Sequence, residues 1–369
     1  MDFNVTEWAK DVESKLIAKL KVTSGQIGAT FPHVSKEGTY DDSNVIWWTN
    51  GFWPGILWLA YRADKDESFR KIAEECEERL DEVLNNYIHT DHDAGFMWSL
   101  SAIADYKITG NERSRVRGLI AANFLAGRFN PQAKFIRAWN WQKDYAIIDC
   151  MMNLPLLYWA SETLDDPRYK YVAMQHADTV LESFFRKDGS VNHIVEFDPH
   201  TGEVKSIPQG QGARPDSAWA RGSAWAIYGM ALSYKYTGEM RYLDAAKRIA
   251  HFFIANLPED NVCYWDFRVD INEDTPRDTS AASCAVCGLL ELSKHVEPCE
   301  KALYYNNAIK IVKGLTDKYA VLDASRQEML LEGTGHFPEN KNINVGLIYG
   351  DYFYMEAIER LCGRDKLFW

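Results

Sequence analysis

The stretch DCMMNLPLLYWASETLDDPRYKYVAMQHADTVLESFF (149–185) decides the fold. Its first half runs apolar on nearly every side, which describes a helix buried all round. LDDPRY then turns the chain. In YKYVAMQHADTVLESFF the apolar residues recur at three- and four-residue spacing with charges between them, which describes a helix covered on one side only. A buried helix followed by an amphipathic one is a hairpin with an inner and an outer member.

The same plan recurs along the chain. Buried segments begin at Thr49 (TNGFWPGILWLAYRA), Asp93 (DAGFMWSLSAIADYKITG), Asp149, Arg221 (RGSAWAIYGMALSYKYTG), Asp278 (DTSAASCAVCGLLELSKHV) and Gly350 (GDYFYMEAIERL). Amphipathic segments such as FRKIAEECEERLDEVL, YLDAAKRIAHFFIANL and YYNNAIKIVKGLTDKYA follow turns such as DKDES and TGEMRY. The sixth inner helix runs to the last residues with no outer partner, while the helix over 5–20 is of outer type with no inner one before it. Pairing first with last completes six hairpins in a circle. The expected fold is therefore all-α, an (α/α)6 barrel in which 1–369 forms a single domain; an open solenoid does not need such matched ends. NHIVEFDPHTGEVKSI (192–207) alternates about a PHTGE turn and predicts a short β-hairpin, and NVCYWDFRV predicts another short strand. The connections 20–48, 130–148, 186–220, 258–277 and 320–349 are expected to gather with the inner-helix N-termini at one end, as a pocket rim.

Composition narrows the partners. The chain has 13 Trp, 19 Tyr and 17 Phe, residues that stack on sugar faces but also fill helical cores. A net charge of −12 argues against nucleic acid and anionic membrane, both of which want a basic surface. It leaves room for a small anionic substrate, because a few focused cations reverse the potential inside a pocket. The opening MDFNVTEWAKDVESKLIAKL is an amphipathic helix without the regions of a signal peptide, and no apolar run approaches the roughly 20 residues of a membrane span. The seven cysteines are scattered. Cys284 and Cys287 form a C-x-x-C, but within an apolar helical stretch, where they read as small core residues. The expected compartment is the reduced cytoplasm. No cofactor fingerprint occurs, and His92 beside Asp93 has no ligand cluster around it, so no metal is expected. No pattern assigns an oligomeric state.

Two carboxylates begin successive inner helices, Asp93 in HTDHDAGF and Asp149 in YAIIDCMMNLP. Either reads equally as a helix N-cap, whose oxygen accepts orphan backbone N–H groups. Against that, Asp149 is flanked by Ile147, Ile148, Cys150, Met151 and Met152, and both residues would face one axial cavity. Burial and a second carboxylate nearby raise a carboxyl's pKa, which keeps an acid protonated near neutral pH. Asp149 is therefore the expected proton carrier. WWTNGFW brings Trp47, Trp48 and Trp53 to the rim, and RAWNW brings Arg137, Trp139 and Trp141. QGQGARPDSAWARGSAW brings Gln211, Arg214, Trp219, Arg221 and Trp225. A Gly-rich, Arg-containing loop entering a helix suits an anion, or else it is a connection whose tryptophans pack the lid. His193 and His336, each taken alone, read as structural.

Several motifs together resemble bacterial unsaturated glucuronyl hydrolases, glycoside hydrolase family 88. They are H-D-x-G-F from His92, I-I-D-C-x-x-N-L-P-L-L from Ile147 and W-x-R-G-x-A-W-x-I-Y-G from Trp219. F-P-H-V at Phe31, W-T-x-G-F-W-x-G-I-L-W at Trp48, Y-W-D-F at Tyr264 and Y-G-D-Y at Tyr349 continue the likeness over nearly the whole chain. The resemblance implies an (α/α)6 barrel that releases the 4,5-unsaturated uronic acid from lyase-generated, glycosaminoglycan-type disaccharides. It implies Asp149 as catalytic acid and base, with Asp93 as its partner. It places Trp48, His92, Trp139, His193, Gln211, Arg221, Trp225 and His336 at the substrate. Lys341, in HFPENKNIN, would meet a sulfate on the neighbouring sugar or stand as a solvated loop lysine, and sulfated substrates are expected to be accepted. The alternatives are an unsaturated rhamnogalacturonyl hydrolase acting on pectin fragments, a conventional inverting glycosidase with carboxyls about 6.5–9.5 Å apart, and a sugar-binding barrel without turnover.

Overall fold

A computed structural model describes residues 4–86 and 89–369; Met1 to Phe3 of the opening helix lie outside the described residues. Helix α1 (Val5–Ile27) leads, followed by α2 (Phe52–Asp64) with α3 (Glu67–Leu84). The next inner member is broken into α4 (Ala94–Leu100) and α5 (Ala102–Thr109), with α6 (Glu112–Gly127) outside it. Then come α7 (Leu154–Leu164) with α8 (Pro167–Ser183), α9 (Ala220–Thr237) with α10 (Met240–Ala255), α11 (Thr279–Leu292) with α12 (Pro298–Lys318), and α13 (Ile348–Leu361). Helix α13 packs against both α2 and α1 and closes the ring. The fold is an (α/α)6 barrel.

Side-chain pattern sorts the helices between rings. Every residue of α11 and α13 is buried, whereas α3 buries Phe69, Ala73, Cys76, Leu80 and Val83 along one stripe. Three of the turns from inner to outer helix share one chemistry. A left-handed residue (Lys65, Gly110 or Asp165) stops the inner helix, and Asp66, Asn111 or Asp166 then accepts a backbone N–H to start the outer one. Cys284 and Cys287 are buried in α11, and all seven cysteines are unpaired. Among the described residues, no helix is long and apolar enough to cross a membrane.

Three expectations are corrected. The opening helix extends to Ile27 rather than ending near Leu20. The inner helix from Asp93 is not continuous: Ser101 adopts φ −102°, ψ −87°, and its hydroxyl donates to the Met97 carbonyl at 2.6 Å. A back-bonding serine of this kind competes with the helical ladder and bends it. NVCYWDFRV forms no strand, only isolated bridges of Tyr264 to Arg277 and Asp266 to Trp219.

The connections do converge at one end, through small antiparallel sheets. β1 (Val34–Lys36) pairs with β2 (Thr39–Tyr40), β3 (Phe129–Asn130) with β4 (Phe135–Ile136), and β5 (Tyr145–Ile147) with β6 (Ile194–Phe197). β6 also pairs with β7 (Val204–Ser206), the hairpin expected around PHTGE, and β8 (Gly346–Leu347) pairs with β1. The β5–β6 pairing, Ile147 opposite Ile194, fixes where the segment after Ile147 meets the segment before Ile194.

The other end is plugged by the tail after α13. Trp369 inserts its ring parallel to Phe353 (5.9 Å, 9°) and edge-on to Phe96, and its Nε1 donates to Glu356 at 2.8 Å. Lys107 and the Tyr236 hydroxyl hold the tail by the Phe368 and Trp369 carbonyls. Trp369→Ala should lower unfolding stability by about 3–5 kcal/mol, the usual cost of emptying a large aromatic site. A urea unfolding midpoint close to that of the parent would show that the tail is dispensable.

Candidate active site

Asp93 and Asp149 are not caps. Asp93 occupies the position before α4, yet its side chain accepts nothing from that helix. Asp149 lies inside a 3-10 turn, Ile148–Met152, with Asn153 standing between it and α7. A genuine capping aspartate is present for comparison: Asp278 accepts the Ser280 and Ala281 amides at the start of α11. Freed from capping, the two carboxylates reach the floor of one cavity of about 460 Å³, lined also by Trp48, Asp91, Trp139 and Gln211. Asp93 is 7% exposed and Asp149 9%.

Strand pairing sets the partner of Asp149. Ile148 donates its N–H to the His193 carbonyl, which brings the imidazole alongside. His193 Nδ1 accepts the Gln211 N–H at 2.9 Å, so its hydrogen sits on Nε2, which stands 3.4 Å from Asp149 Oδ2. Neither of those two facing atoms has another hydrogen-bond partner among the described residues. Gly210 is required here, because a Cβ at that position would overlap the imidazole.

The environments drive the two carboxyls apart. Burial, then the charges of Asp91 and Asp149, push Asp93 well above the usual carboxylate range, against the Asn153 hydrogen bond and the Arg128 charge. Burial pushes Asp149 up too, but the facing His193 and the Arg221 charge outweigh it, and the group lies below its ordinary value. The apolar sequence neighbours of Asp149 had suggested the reverse. Burial raises Asp91 as well, so of the three carboxyls Asp149 is the one that ionises most readily.

Arg221 is a clamp. Its buried guanidinium donates to Asp278 Oδ2, the Thr334 and Gly335 carbonyls and Gln211 Oε1 at 2.5–2.7 Å, and lies over the Trp219 ring. The residues expected at the substrate therefore divide. Trp48, Trp139 and Gln211 line the cavity, with His193 facing Asp149 behind them. Trp225 does not line it: the ring is fully buried between Phe96 and Phe353, beneath the floor. His92 is also sealed from solvent, and burial lowers it to about 3, so it is neutral. His336 is partly exposed at the start of a 3-10 turn and accepts the Glu339 N–H. Lys341 is mostly exposed and held by Glu339 at 2.6 Å, outside the cavity lining.

Asp91 and Asn153 are the residues that sequence reading missed. Asp91 lines the cavity and accepts the Asp93 N–H, and its position two residues before Asp93 in HTDHD was the available signal. Trp47 and Trp141 join the lining, Trp141 stacked on Trp139 at 5.1 Å and 7°. Among the described residues, no group of three His, Cys, Asp or Glu side chains is placed to hold a metal.

A six-hairpin barrel whose inner-helix starts bring two carboxylates under tryptophans is the architecture of a glycoside hydrolase. Residues 23–327 match Glycosyl Hydrolase Family 88, and the chain belongs to that family. It is 38% identical to the unsaturated glucuronyl hydrolase of Bacillus sp. (strain GL1), covering 91% of this chain and 92% of that one. It is 37% identical to the unsaturated chondroitin disaccharide hydrolase of Streptococcus agalactiae serotype III (strain NEM316), covering 96% and 92%. The crystal structure of an unsaturated glucuronyl hydrolase from Streptococcus agalactiae superposes with a TM-score of 0.93 at 33% identity, covering 98% of this chain and 93% of that one.

If His193 is what holds Asp149 down, His193→Ala should move the Asp149 titration upward. Carboxyl infrared difference spectra across a pH series, without ligand, would read the shift; an unmoved or lowered titration would assign the effect elsewhere.

Proposed function

We propose that this enzyme is an unsaturated glucuronyl hydrolase that removes the 4,5-unsaturated uronic acid from glycosaminoglycan-type disaccharides, with Asp149 and Asp93 as its catalytic pair. The carrying observation is one cavity floor with two carboxyls of opposite proton affinity beneath Trp48 and Trp139. The names of the Bacillus and Streptococcus relatives support the substrate class. Residues 1–369 act as one catalytic domain. Seven unpaired cysteines suit a reducing cytoplasm.

The substrate is an enol ether and an anion. Its uronate carboxylate, entering beside Asp149, adds negative charge and displaces water, and both effects raise that carboxyl. The proton that rests on Asp93 in the free site is thereby drawn to Asp149. Asp149 delivers it to C4, and the C4=C5 pair becomes the new C–H bond, leaving an oxocarbenium-like centre at C5. Water adds at C5 and gives a proton back to Asp149. The resulting hemiketal opens and the neighbouring sugar leaves from C1. The pair ends with the single proton it began with, and no displacement at the anomeric carbon is needed, unlike ordinary inverting or retaining hydrolysis. Trp48 and Trp139 hold the sugar rings, and Gln211 and His336 border the bound uronate. Lys341 has no role in this reading.

Asp149→Asn and Asp93→Asn should each cut kcat by about 10²–10⁴-fold, the range of a lost general acid, with substrate affinity little changed. The assay follows loss of the double bond's ultraviolet absorbance on unsaturated chondroitin, hyaluronan and rhamnogalacturonan disaccharides. Normal turnover by Asp149→Asn would sink the assignment, and activity confined to the rhamnogalacturonan substrate would move the enzyme to pectin. The kcat/KM profile of the parent should be bell-shaped. Its acid limb follows protonation of Asp149 below the usual carboxylate range, and its alkaline limb follows loss of the Asp93 proton above that range. A profile flat from acid to alkaline pH would contradict the one-proton pair.

A further inference from the structure

Asn153 touches both carboxylate-bearing segments at once. Its side chain is fully buried in the position before α7, where it caps nothing. Its Oδ1 accepts the Phe96 N–H from the first turn of α4 at 2.7 Å. Its Nδ2 stands 3.2 Å from Asp93 Oδ1 and 3.4 Å from the Asp149 carbonyl. A backbone N–H only donates, so the atom facing Phe96 must be the amide oxygen, and the amide is locked with its NH₂ toward Asp93. Gly95 permits this approach, since a Cβ there would overlap the Asn153 backbone.

We infer that Asn153 is the positioning residue that fixes Asp93 relative to Asp149 and confines the Asp93 proton to Oδ2. A carboxyl oxygen that faces an N–H presents a lone pair to it, and the carbonyl oxygen of a neutral acid is a better acceptor than its hydroxyl oxygen, so the amide favours Oδ1 as the carbonyl oxygen and Oδ2 as the proton carrier. His92 Nε2, 3.5 Å from the same oxygen, lies on that side too. Without the amide the proton would be shared between both oxygens, and the carboxyl would be free to rotate. Asn153 thus keeps the neutral acid in one orientation, and its second contact, to the Asp149 carbonyl, ties that orientation to the segment carrying the partner. This role rests on the functional reading above. The other groups acting on Asp93 are Asp91 and His92 from its own loop, Asp149 and the Cys150 thiol from the 3-10 turn, and Arg128 after α6. All stay in place in the variants below.

Asn153→Asp keeps the size and the oxygen that serves Phe96, but offers Asp93 a donor only when the introduced carboxyl is protonated. At neutral pH its kcat should fall about 100-fold, the scale of a misplaced catalytic group, with KM within about threefold. Activity should recover as the pH falls, moving the optimum to the acid side. Asn153→Ser, too short to reach Asp93, should lose kcat without any acid recovery. Melting temperatures accompany both variants. A substrate-free readout runs in parallel: infrared titration of the buried carboxyls should shift upward in Asn153→Asp. The inference is overturned by an Asn153→Asp profile of unchanged shape, by kcat within about threefold of the parent, or by an unmoved infrared titration. Failure of both variants to fold at the assay temperature also overturns it, by making Asn153 a determinant of the fold. If the parent turns over no unsaturated disaccharide, the functional reading falls, while the infrared shift still decides the role of Asn153.

Discussion

Arg221 sits in the first turn of α9 with its guanidinium out of water, and three segments at the mouth of the barrel converge on it. Asp278 pairs with it and simultaneously caps α11; the 334–335 segment gives it two carbonyls; the 209–217 loop gives it the Gln211 amide oxygen. Such a charge is tolerable in the interior only because its donors are met; removing one partner of a buried pair typically costs about 3–5 kcal/mol. The consequence reaches the chemistry by a short path. Arg221 holds Gln211, whose N–H fixes the His193 ring, whose other nitrogen faces Asp149. The arginine that the loop presents is thus held in place by protein groups on several sides, and it acts on the carboxylates through position and field.

The barrel is polar along its axis. Inner-helix N-termini face the mouth, where partial positive charge from unpaired N–H groups accumulates, and C-termini face the plugged end. The plugged end carries the larger cavity, about 620 Å³, lined by Arg62, Lys65, Lys107, Lys235 and Lys366. Its basic character follows from helix chemistry. Arg62, Lys107 and Lys235 lie in last turns, where cations meet the negative ends of dipoles, and Lys107 donates to the tail carbonyls. Burial, and after it the charge of Lys235, lower Lys107 to about 7. The smaller cavity holds the carboxylates because loop segments, rather than helix interiors, converge there.

How much was legible in the sequence follows the range of the interactions involved. The hairpin plan was legible because burial repeats at helical spacing: DCMMNLPLLYWASETL and YKYVAMQHADTVLESFF differ visibly in how many faces they cover. The break at Ser101 was not, because a serine inside an apolar run reveals its back-bond only once its rotamer is known. NVCYWDFRV alternates like a strand, yet its backbone meets α9 and Arg277 through single bridges and finds no continuous partner. Among site residues, Trp48 and Trp139 were readable as rim aromatics. Trp225, four residues after Arg221 and in the same kind of motif, turned out to be core, since one helical turn carries a side chain from the mouth to beneath the floor. Asn153 stood in the quoted motif but offers no charge to draw attention; its importance lies in two bonds across 57 and 60 residues of sequence.

The two aspartates show why flanking residues mislead about protonation. Asp149 has the more apolar sequence neighbours, and both carboxyls are nearly buried, so desolvation by itself would protonate both. The distinction arises from what approaches through space: an imidazole N–H and a guanidinium field for Asp149, two further carboxylates for Asp93. Carboxyls that share one buried cavity do not all ionise readily, so the first charge settles on Asp149, where the imidazole and the guanidinium act. An anionic substrate then disturbs that balance in one direction only. Its negative charge weighs most on the group that was ionised, which is the group the proposed chemistry needs protonated. In the proposed chemistry the acid that starts the reaction is accordingly a property of the complex with substrate, not of Asp149 alone.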